Sequence, residues 1–332
     1  MDFKNYVVSL AKKNKRKIIL PESFDVRILI AAQKLTEDGI ANIVLPTENE
    51  ENVRELAKKS NINLAGIEII KIDRNLLCSD KISDFVSARS KKGMTEQDAL
   101  TLLDKPLYFS MMYLKSGKCD ACVCGAVYDT ADVLRAGIYV VGTANDIKMI
   151  SSYFIMIPPE KHPLVKEPVF FADCGVNPEP QASGLRDIAV STVKSFKKLF
   201  PDKNANIAML SFSTKGSAKN KILDKVIEAT DLVKNYFENR SDVNIDGEFQ
   251  FDASIVPSVA QRKAPDSKIA GNANILIFPD LNSGNISYKV AERLGGFQAI
   301  GPIIQGLSLP VSDLSRGASV QDIYLVCAIN GL

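Results

Sequence analysis

The chain has no tryptophan and a single histidine among its 332 residues, and aromatics make up only 7% of it. That histidine, His162, sits in Glu160-Lys161-His162-Pro163, which reads as a surface turn, so a Ser-His-Asp triad has no placed base. Any general base is expected to be a carboxylate. Charge of one sign is also scarce, with 41 Lys and Arg against 39 Asp and Glu leaving a net +2. Bulk electrostatics therefore do not mark a nucleic-acid or membrane binder. No long apolar run occurs, and Met1-Asp2-Phe3-Lys4-Asn5-Tyr6 opens straight into an amphipathic segment without the apolar core of a signal peptide. A soluble, cytoplasmic protein with no nucleic-acid or membrane partner is expected. Six cysteines (78, 119, 122, 124, 174 and 327) lie mostly in apolar runs. Cys119, Cys122 and Cys124 cluster, but no second C-x-x-C or histidine follows at zinc spacing, so buried thiols in a reducing compartment are expected, and no metal. Neither G-x-G-x-x-G after a predicted strand nor the P-loop spacing is present.

What is present points to two domains. The chain, 46% hydrophobic, exceeds the roughly 250 to 300 residues at which a single core stops growing. Residues 17–20 read as a short buried strand, 21–25 as a turn, and Ile28, Ala31, Ala32 and Leu35 as one helical face closed by Gly39. The unit repeats at 43–45 with a helix carrying Val53, Leu56 and Ala57, and at 67–72 with a helix carrying Ile82, Phe85 and Val86. Such alternation predicts a parallel sheet in an α/β domain. Helices from Thr95 and over 106–114 precede a buried strand over 120–124. Near residue 145 the pattern changes to strands at 150–157 and 169–172 joined by a Pro-rich link, which places a domain boundary there. Leu185, Ile188, Ala189, Thr192, Val193 and Phe196 then form the core stripe of a helix over about 181–200, with strands expected at 207–211, 245–251 and 275–278.

The candidate chemistry lies in polar turns. Asp313-Leu314-Ser315-Arg316-Gly317-Ala318-Ser319-Val320-Gln321-Asp322 packs a hydroxyl, a guanidinium and a carboxylate together. Ser319 and Asp322 fit a capping box with Ile323, Val326 and Cys327 at helical spacing, so the turn faces a helix N-terminus, a ready place for phosphate or carboxylate. Arg316 adds a planar fork matched to phosphate oxygens. The plainer alternative is that Asp322 only caps its helix and Arg316 is a solvated charge. Arg89 falls on the stripe of Ile82 and Phe85, where an apolar residue is expected; it either reaches solvent at the helix end or points into a cleft at an anionic ligand. Arg135, in the turn and helix that follow strand 120–124, is a second candidate anion binder, with a surface charge as the alternative. Ser213, Thr214 and Lys215 belong to a loop of hydroxyls, a lysine and a glycine that can cradle phosphate. Asn282 and Asn285 lie in a polar loop, 279–285, where simple turn chemistry is the alternative.

Five segments in order, Thr130-Ala131-Asp132-Val133-Leu134-Arg135, Phe171-Ala172-Asp173-Cys174-Gly175-Val176-Asn177-Pro178, Leu210-Ser211-Phe212-Ser213-Thr214-Lys215-Gly216-Ser217, Phe278-Pro279-Asp280-Leu281-Asn282-Ser283-Gly284-Asn285 and Asp313-Leu314-Ser315-Arg316-Gly317, together resemble the phosphate acetyltransferase (phosphotransacetylase) family over nearly the whole chain. The resemblance implies the reaction acetyl-CoA + phosphate = CoA + acetyl phosphate, with coenzyme A as a substrate and no cofactor. It also implies a homodimer of two α/β/α domains with a cleft between them, the fold of isocitrate and isopropylmalate dehydrogenases. Residues 1–145 and 306–332 would form domain one and 146–305 domain two, a return of the chain that periodicity does not reveal. Asp322 resembles the base that takes the CoA thiol proton, Arg316 the residue holding the acetyl phosphate oxygens, and Ser315 a donor to the same group. Arg135 and Arg89 resemble the CoA-side arginines, and Arg293 matches a family arginine of structural or peripheral role.

Two positions depart from the family pattern. Its first turn, Pro-Glu-Gly-Glu-Asp, is Pro21-Glu22-Ser23-Phe24-Asp25 here, which weakens any assignment to that loop, and a cysteine common after Ser-Arg-Gly is Ala318. A free thiol, with a pKa of ~8.5, is mostly protonated at neutral pH, so a positioned base should speed its attack by about 10² to 10⁴. A covalent acetyl-Cys174 route is the alternative, without an adjacent base visible in the sequence. Rival readings are a phosphate butyryl- or propionyltransferase, a non-catalytic acetyl-CoA-sensing module, and a dehydrogenase of the same fold. Intact Ser315, Arg316 and Asp322 favour catalysis, and the missing nucleotide and metal-carboxylate motifs count against a dehydrogenase.

Overall fold

In a computed structural model that describes residues 2–332, the alternating apolar and amphipathic stretches become the strands and helices of two compact units. The chain begins with α1 (Phe3–Lys13), β1 (Arg16–Ile19), α2 (Val26–Glu37), β2 (Ala41–Thr47), α3 (Glu50–Lys59) and β3 (Glu68–Lys71). It continues with α4 (Ser79–Ser90), α5 (Glu96–Leu102), α6 (Pro106–Lys115), β4 (Ala121–Cys124) and α7 (Thr130–Ala136). A second unit, residues 146–306, holds β5 (Ser151–Ile157), β6 (Val169–Ala172), α8 (Ala182–Leu199), β7 (Ala205–Leu210), α9 (Asp224–Tyr236) and β8 (Val243–Phe249). It closes with α10 (Phe251–Ile255), α11 (Pro257–Lys263), β9 (Ile275–Ile277), α12 (Leu281–Arg293) and β10 (Gln298–Gln305). Residues 307–332 return to the first unit as β11 (Val311–Asp313) and α13 (Val320–Asn330).

The first unit is built on a parallel sheet of order β11-β4-β1-β2-β3. Its central strands are buried on both faces, which is why they read as short unbroken apolar runs rather than as alternating ones. Helix α2 buries Ile28, Leu29, Ala31, Ala32 and Leu35, the face its spacing predicts. Helix α6 is buried all round from Leu107 to Leu114 and so carries no amphipathic signature. Sequence neighbours β1, β2 and β3 run one way across the sheet, while β4 and β11 lie on the other side of β1. The carboxyl ends of β1 and β4 therefore flank a topological switch point, where open α/β sheets hold ligands.

The second unit has sheet order β10-β5-β6-β9-β7-β8, with β10 and β6 antiparallel to β5 and the remaining pairs parallel. The stripe predicted for α8, from Leu185 to Phe196, is buried as expected. One expectation is corrected here. Segment 279–285, read as a polar loop, is mostly the first turn of α12, with Asp280 as N-cap accepting from the Ser283 N–H at 2.8 Å. Asn, Ser and Gly are poor helix formers, so local propensity points to a loop. Packing decides otherwise: Gly284 lies directly against the Asp173 carbonyl, where a Cβ would strike backbone. Helix α9 has no counterpart in the sequence reading, because its buried face, Val226, Ala229, Thr230 and Val233, is weakly apolar.

Gly284→Ala should destabilise the protein by about 1 to 3 kcal/mol through this clash. A fall in the urea midpoint at unchanged slope checks it; an unchanged midpoint would show that α12 shifts freely.

Candidate active site

Strand β1 feeds a turn in which Glu22 is fully buried. Its carboxylate accepts four successive backbone N–H groups from the loop after β4: Gly125 at 3.2 Å, Ala126 at 3.0 Å, Val127 at 2.7 Å and Tyr128 at 2.8 Å. A buried carboxylate is tolerable only when donors replace its water, and a loop with four inward N–H groups needs an acceptor. Each satisfies the other, so the two strand-end loops hold one another in place.

Three residues on, Asp25 caps α2 and receives Arg27 through Nε at 3.1 Å and Nη2 at 2.8 Å. Burial pushes the Asp25 carboxyl up, but the Arg27 hydrogen bonds and charge outweigh it and hold the group below its ordinary range. The same guanidinium donates through Nη2 to the Ala126 carbonyl at 2.9 Å, and through Nη1 to the carbonyls of Arg316 at 2.8 Å and Ala318 at 3.0 Å. Arg27 thus ties together the loops following β1, β4 and β11.

The turn it holds carries the residues singled out in the sequence. Ser315, Arg316 and Gly317 are exposed, and the Ala318 N–H closes the turn on the Ser315 carbonyl at 2.8 Å. Arg316 pairs with Asp129, the N-cap of α7, both side chains being largely exposed. Ser319 and Asp322 form the expected capping box at the start of α13. Asp322 accepts the Ser319 N–H at 2.9 Å and its hydroxyl at 2.7 Å through Oδ2, and Oδ1 receives no protein donor among the described residues. Arg135, in the last turn of α7, pairs with Asp132 at 2.6 Å at the surface. Arg89 lies in the last turn of α4 with its guanidinium 4.2 Å from the centre of the Tyr139 ring, while its Nε is buried without a hydrogen-bond partner. The aromatic face accounts for a charge on an otherwise apolar stripe.

The other candidates belong to the second unit. Ser213 is buried and donates to Glu248 at 2.8 Å, and the same Glu248 oxygen accepts the Gly216 N–H at 2.8 Å. Thr214 accepts the Gln250 N–H at 2.9 Å, and Lys215 pairs with Asp246 and donates to the Gly247 carbonyl at 3.0 Å. Three donors of this loop, the Ser213 hydroxyl, the Gly216 N–H and the Lys215 ammonium, are engaged by the protein's own carboxylates. Asn282 is exposed on the first turn of α12, and Asn285 donates to the Cys174 carbonyl at 3.0 Å. Cys174 is fully buried, and that burial pushes its thiol well above the ordinary range. Arg293 is exposed beside Glu292. No group of three or more His, Cys, Asp or Glu among the described residues is placed to hold a metal ion.

Sequence reasoning missed Glu22 and Arg27. A partial signal existed for the turn but not for Arg27: the departing turn keeps Glu22 and Asp25 and changes only the two residues between them, while the partners that make these groups matter lie far off in sequence.

A family model described as phosphate acetyl/butaryl transferase matches residues 2–330. The chain belongs to this family. The phosphate acetyltransferase of Clostridium acetobutylicum is 43% identical over 329 residues, covering 99% of this chain and 97% of the relative. That of Staphylococcus epidermidis is 45% identical over 311 residues, covering 93% and 91%. Among solved structures, a phosphotransacetylase from Streptococcus pyogenes superposes with a TM-score of 0.90 at 40% identity, covering 100% of this chain and 98% of that one. A putative 4-hydroxythreonine-4-phosphate dehydrogenase from Salmonella typhimurium, 12% identical with a TM-score of 0.55 over 96% and 99% of the two chains, shares the fold alone. The family's α/β architecture thus extends to dehydrogenase-like proteins, as expected from the resemblance.

Glu22→Gln puts an amide against four N–H donors and should cost about 3 kcal/mol of folding stability. Urea unfolding measures it; a loss under 1 kcal/mol would mean that the loop after β4 does not depend on this carboxylate.

Proposed function

We propose that this protein catalyses the reversible transfer of an acetyl group between coenzyme A and phosphate by direct attack of the CoA thiol on acetyl phosphate. The observation that carries the reading is the exposed Ser315-Arg316-Gly317 turn, fixed from behind by Arg27 and followed at once by the N-terminus of α13. An anion approaching this turn meets a guanidinium, a hydroxyl and the positive end of an 11-residue helix. Asp129 does not block it, because an exposed ion pair is weak and exchanges readily for a multiply charged phosphate.

In the proposed step the thiol sulfur bonds to the carbonyl carbon, the thiol proton passes to Asp322 Oδ1, and the carbon–oxygen bond to phosphate breaks with its electron pair leaving on phosphate. Arg316 and Ser315 hold the phosphate oxygens and the charge developing on the carbonyl, where such donors act most strongly. Arg135 and Arg89 hold the phosphates of coenzyme A. In the second unit, Ser213, Thr214 and Lys215 contribute to substrate binding by setting the shape of their loop, and Asn282 and Asn285 through the first turn of α12. A covalent route through Cys174 is disfavoured by burial of its thiol. The reading includes a homodimer and a cytoplasmic setting. Helix α12 supports the first by leaving Ile286 and Val290 exposed at helical spacing, with Leu294 85% exposed just beyond its end, and six free cysteines are in keeping with the second.

The test is thioester formation from CoA and acetyl, propionyl or butyryl phosphate with EDTA present. Turnover fastest on the acetyl compound is expected, and none on any of them would leave an acetyl-CoA-binding module. Asp322→Asn, which still caps α13, should lower kcat by about 10² to 10⁴ with CoA affinity nearly kept; near-normal turnover would reduce Asp322 to a cap. Arg135→Ala should raise the CoA KM more than it lowers kcat, and the opposite split would move Arg135 into the chemical step.

A further inference from the structure

Asp313 takes no part in the step above, yet it ends β11 two residues before Ser315 and is only 1% exposed. Its Oδ2 accepts the hydroxyl of Thr130, the first residue of α7, at 2.6 Å. Its Oδ1 is buried with no hydrogen-bond partner and lies against Gly125, where any Cβ would strike it; Gly125 is also held at φ +97°, a conformation that suits glycine. The neighbouring Leu314 N–H is taken by the Cys124 carbonyl at 2.7 Å. Glu22, the other buried carboxylate of this end of the sheet, has four N–H donors, whereas Asp313 has one hydroxyl.

A carboxylate so poorly compensated costs stability when ionised. A residue that served only packing would be apolar or fully bonded here. We infer that Asp313 is a positioning residue of the acyl-transfer site, whose carboxylate holds Thr130 and thereby fixes the start of α7, with its cap Asp129, against the Ser315-Arg316 turn. The inference rests on the function proposed above.

Burial pushes the Asp313 carboxyl from its ordinary 3.8 up to about 6, with the Thr130 hydrogen bond opposing and the Glu22 charge adding to the rise. The titratable groups facing it are Glu22 from the turn after β1 and Cys124 from β4, a thiol held well above its ordinary range by its Cys122 hydrogen bond and by burial. Around them stand the Asp129–Arg316 pair, between the cap of α7 and the turn, and, on α13, Asp322 in its capping box. A carboxyl raised on folding binds its proton more tightly in the folded state, so the stability it contributes is complete below about pH 4 and is lost as pH rises to about 6. Ionisation of Asp313 therefore weakens the fold while it strengthens the hold on Thr130, a trade expected at a functional site and not at a structural one. Protonation below about pH 6 loosens the turn from α7 and slows turnover.

The experiment compares wild type, Asp313→Asn and Thr130→Val in turnover from pH 5 to 8 and in thermal melting over the same range. In the wild type an acid limb of kcat near pH 6 is expected. Asp313→Asn should lower kcat at pH 7.5 by about 10- to 100-fold, the scale of a misplaced reacting group, with the CoA KM changed less than about twofold, and should abolish that limb. It should also melt no lower than wild type at pH 7.5 and lose the wild type's fall in Tm between pH 5 and 7. Thr130→Val removes the hydroxyl that Asp313 holds, so it should lower kcat at pH 7.5 to a similar extent and likewise abolish the acid limb. An acid limb unchanged in both variants, or an Asp313→Asn that is simply less stable with normal turnover once folded, overturns the inference. Wild type without turnover at any pH refutes the functional reading and this inference with it, whereas wild-type turnover with unmoved limbs refutes this inference alone.

Discussion

A carboxylate buried beneath a strand-end loop and bonded to that loop's backbone N–H groups is the interaction on which both units depend. Glu22 holds residues 125–128 in this way. In the second unit Asp173 takes the N–H groups of Ser152, Gly175, Val176 and Asn177, and Glu248 takes that of Gly216 together with the Ser213 hydroxyl. A charge removed from water costs several kcal/mol unless donors replace its hydration, and loops at the carboxyl ends of parallel strands carry inward N–H groups with no ladder partner. Neither group is stable in the core alone. Joined, they fix loops that no hydrophobic contact would define.

This arrangement also decides which donors the strand-end loops leave free. Loops rich in glycine and hydroxyls commonly bind phosphate with their own N–H groups. The loop over 212–217 has that composition, but Glu248 already takes its Ser213 hydroxyl and Gly216 N–H, and Asp246 its Lys215 ammonium. At the turn after β11 the donors that remain outward are side chains, Arg316 and Ser315, beside a capped helix N-terminus. Internal carboxylates thus use up inward backbone donors and leave the Arg316 guanidinium and the Ser315 hydroxyl as the outward ones of this turn.

Most of the first unit was legible because its signals are local. Residues 17–20, 43–45 and 120–124 are apolar runs of strand length, and Ile28 to Leu35 a helical face, and each falls within or beside its element. The capping box at Ser319 and Asp322 was readable to the residue. Other features of the two units, α9 among them, were not. Strand β11 has three residues and pairs with β4, some 190 positions earlier, so nothing near it in sequence announces a strand. Helix α12 begins with residues of poor helix propensity and is decided by the contact of Gly284 with Asp173. Glu22 and Arg27 act across gaps of 99 to 291 residues, and their importance lies in partners that only the folded topology supplies.

The same non-locality explains why the Ser315-Arg316 turn can be both exposed and well placed. Its side chains face solvent and would be mobile on a free loop, and an Arg316–Asp129 pair at the surface is too weak to order them. The order comes from behind: Arg27 holds the turn's carbonyls, Asp25 and Ala126 hold Arg27, and Glu22 holds the loop that contains Ala126. Apart from the exposed bond of Arg27 to the Arg316 carbonyl, the links in that chain are buried or half-buried, and each involves a charged group, so removing one leaves its partners uncompensated and the effect passes on to the next. The backbone of the turn therefore does not depend on the Arg316–Asp129 pair. The order of the exposed turn resides in the residues behind it.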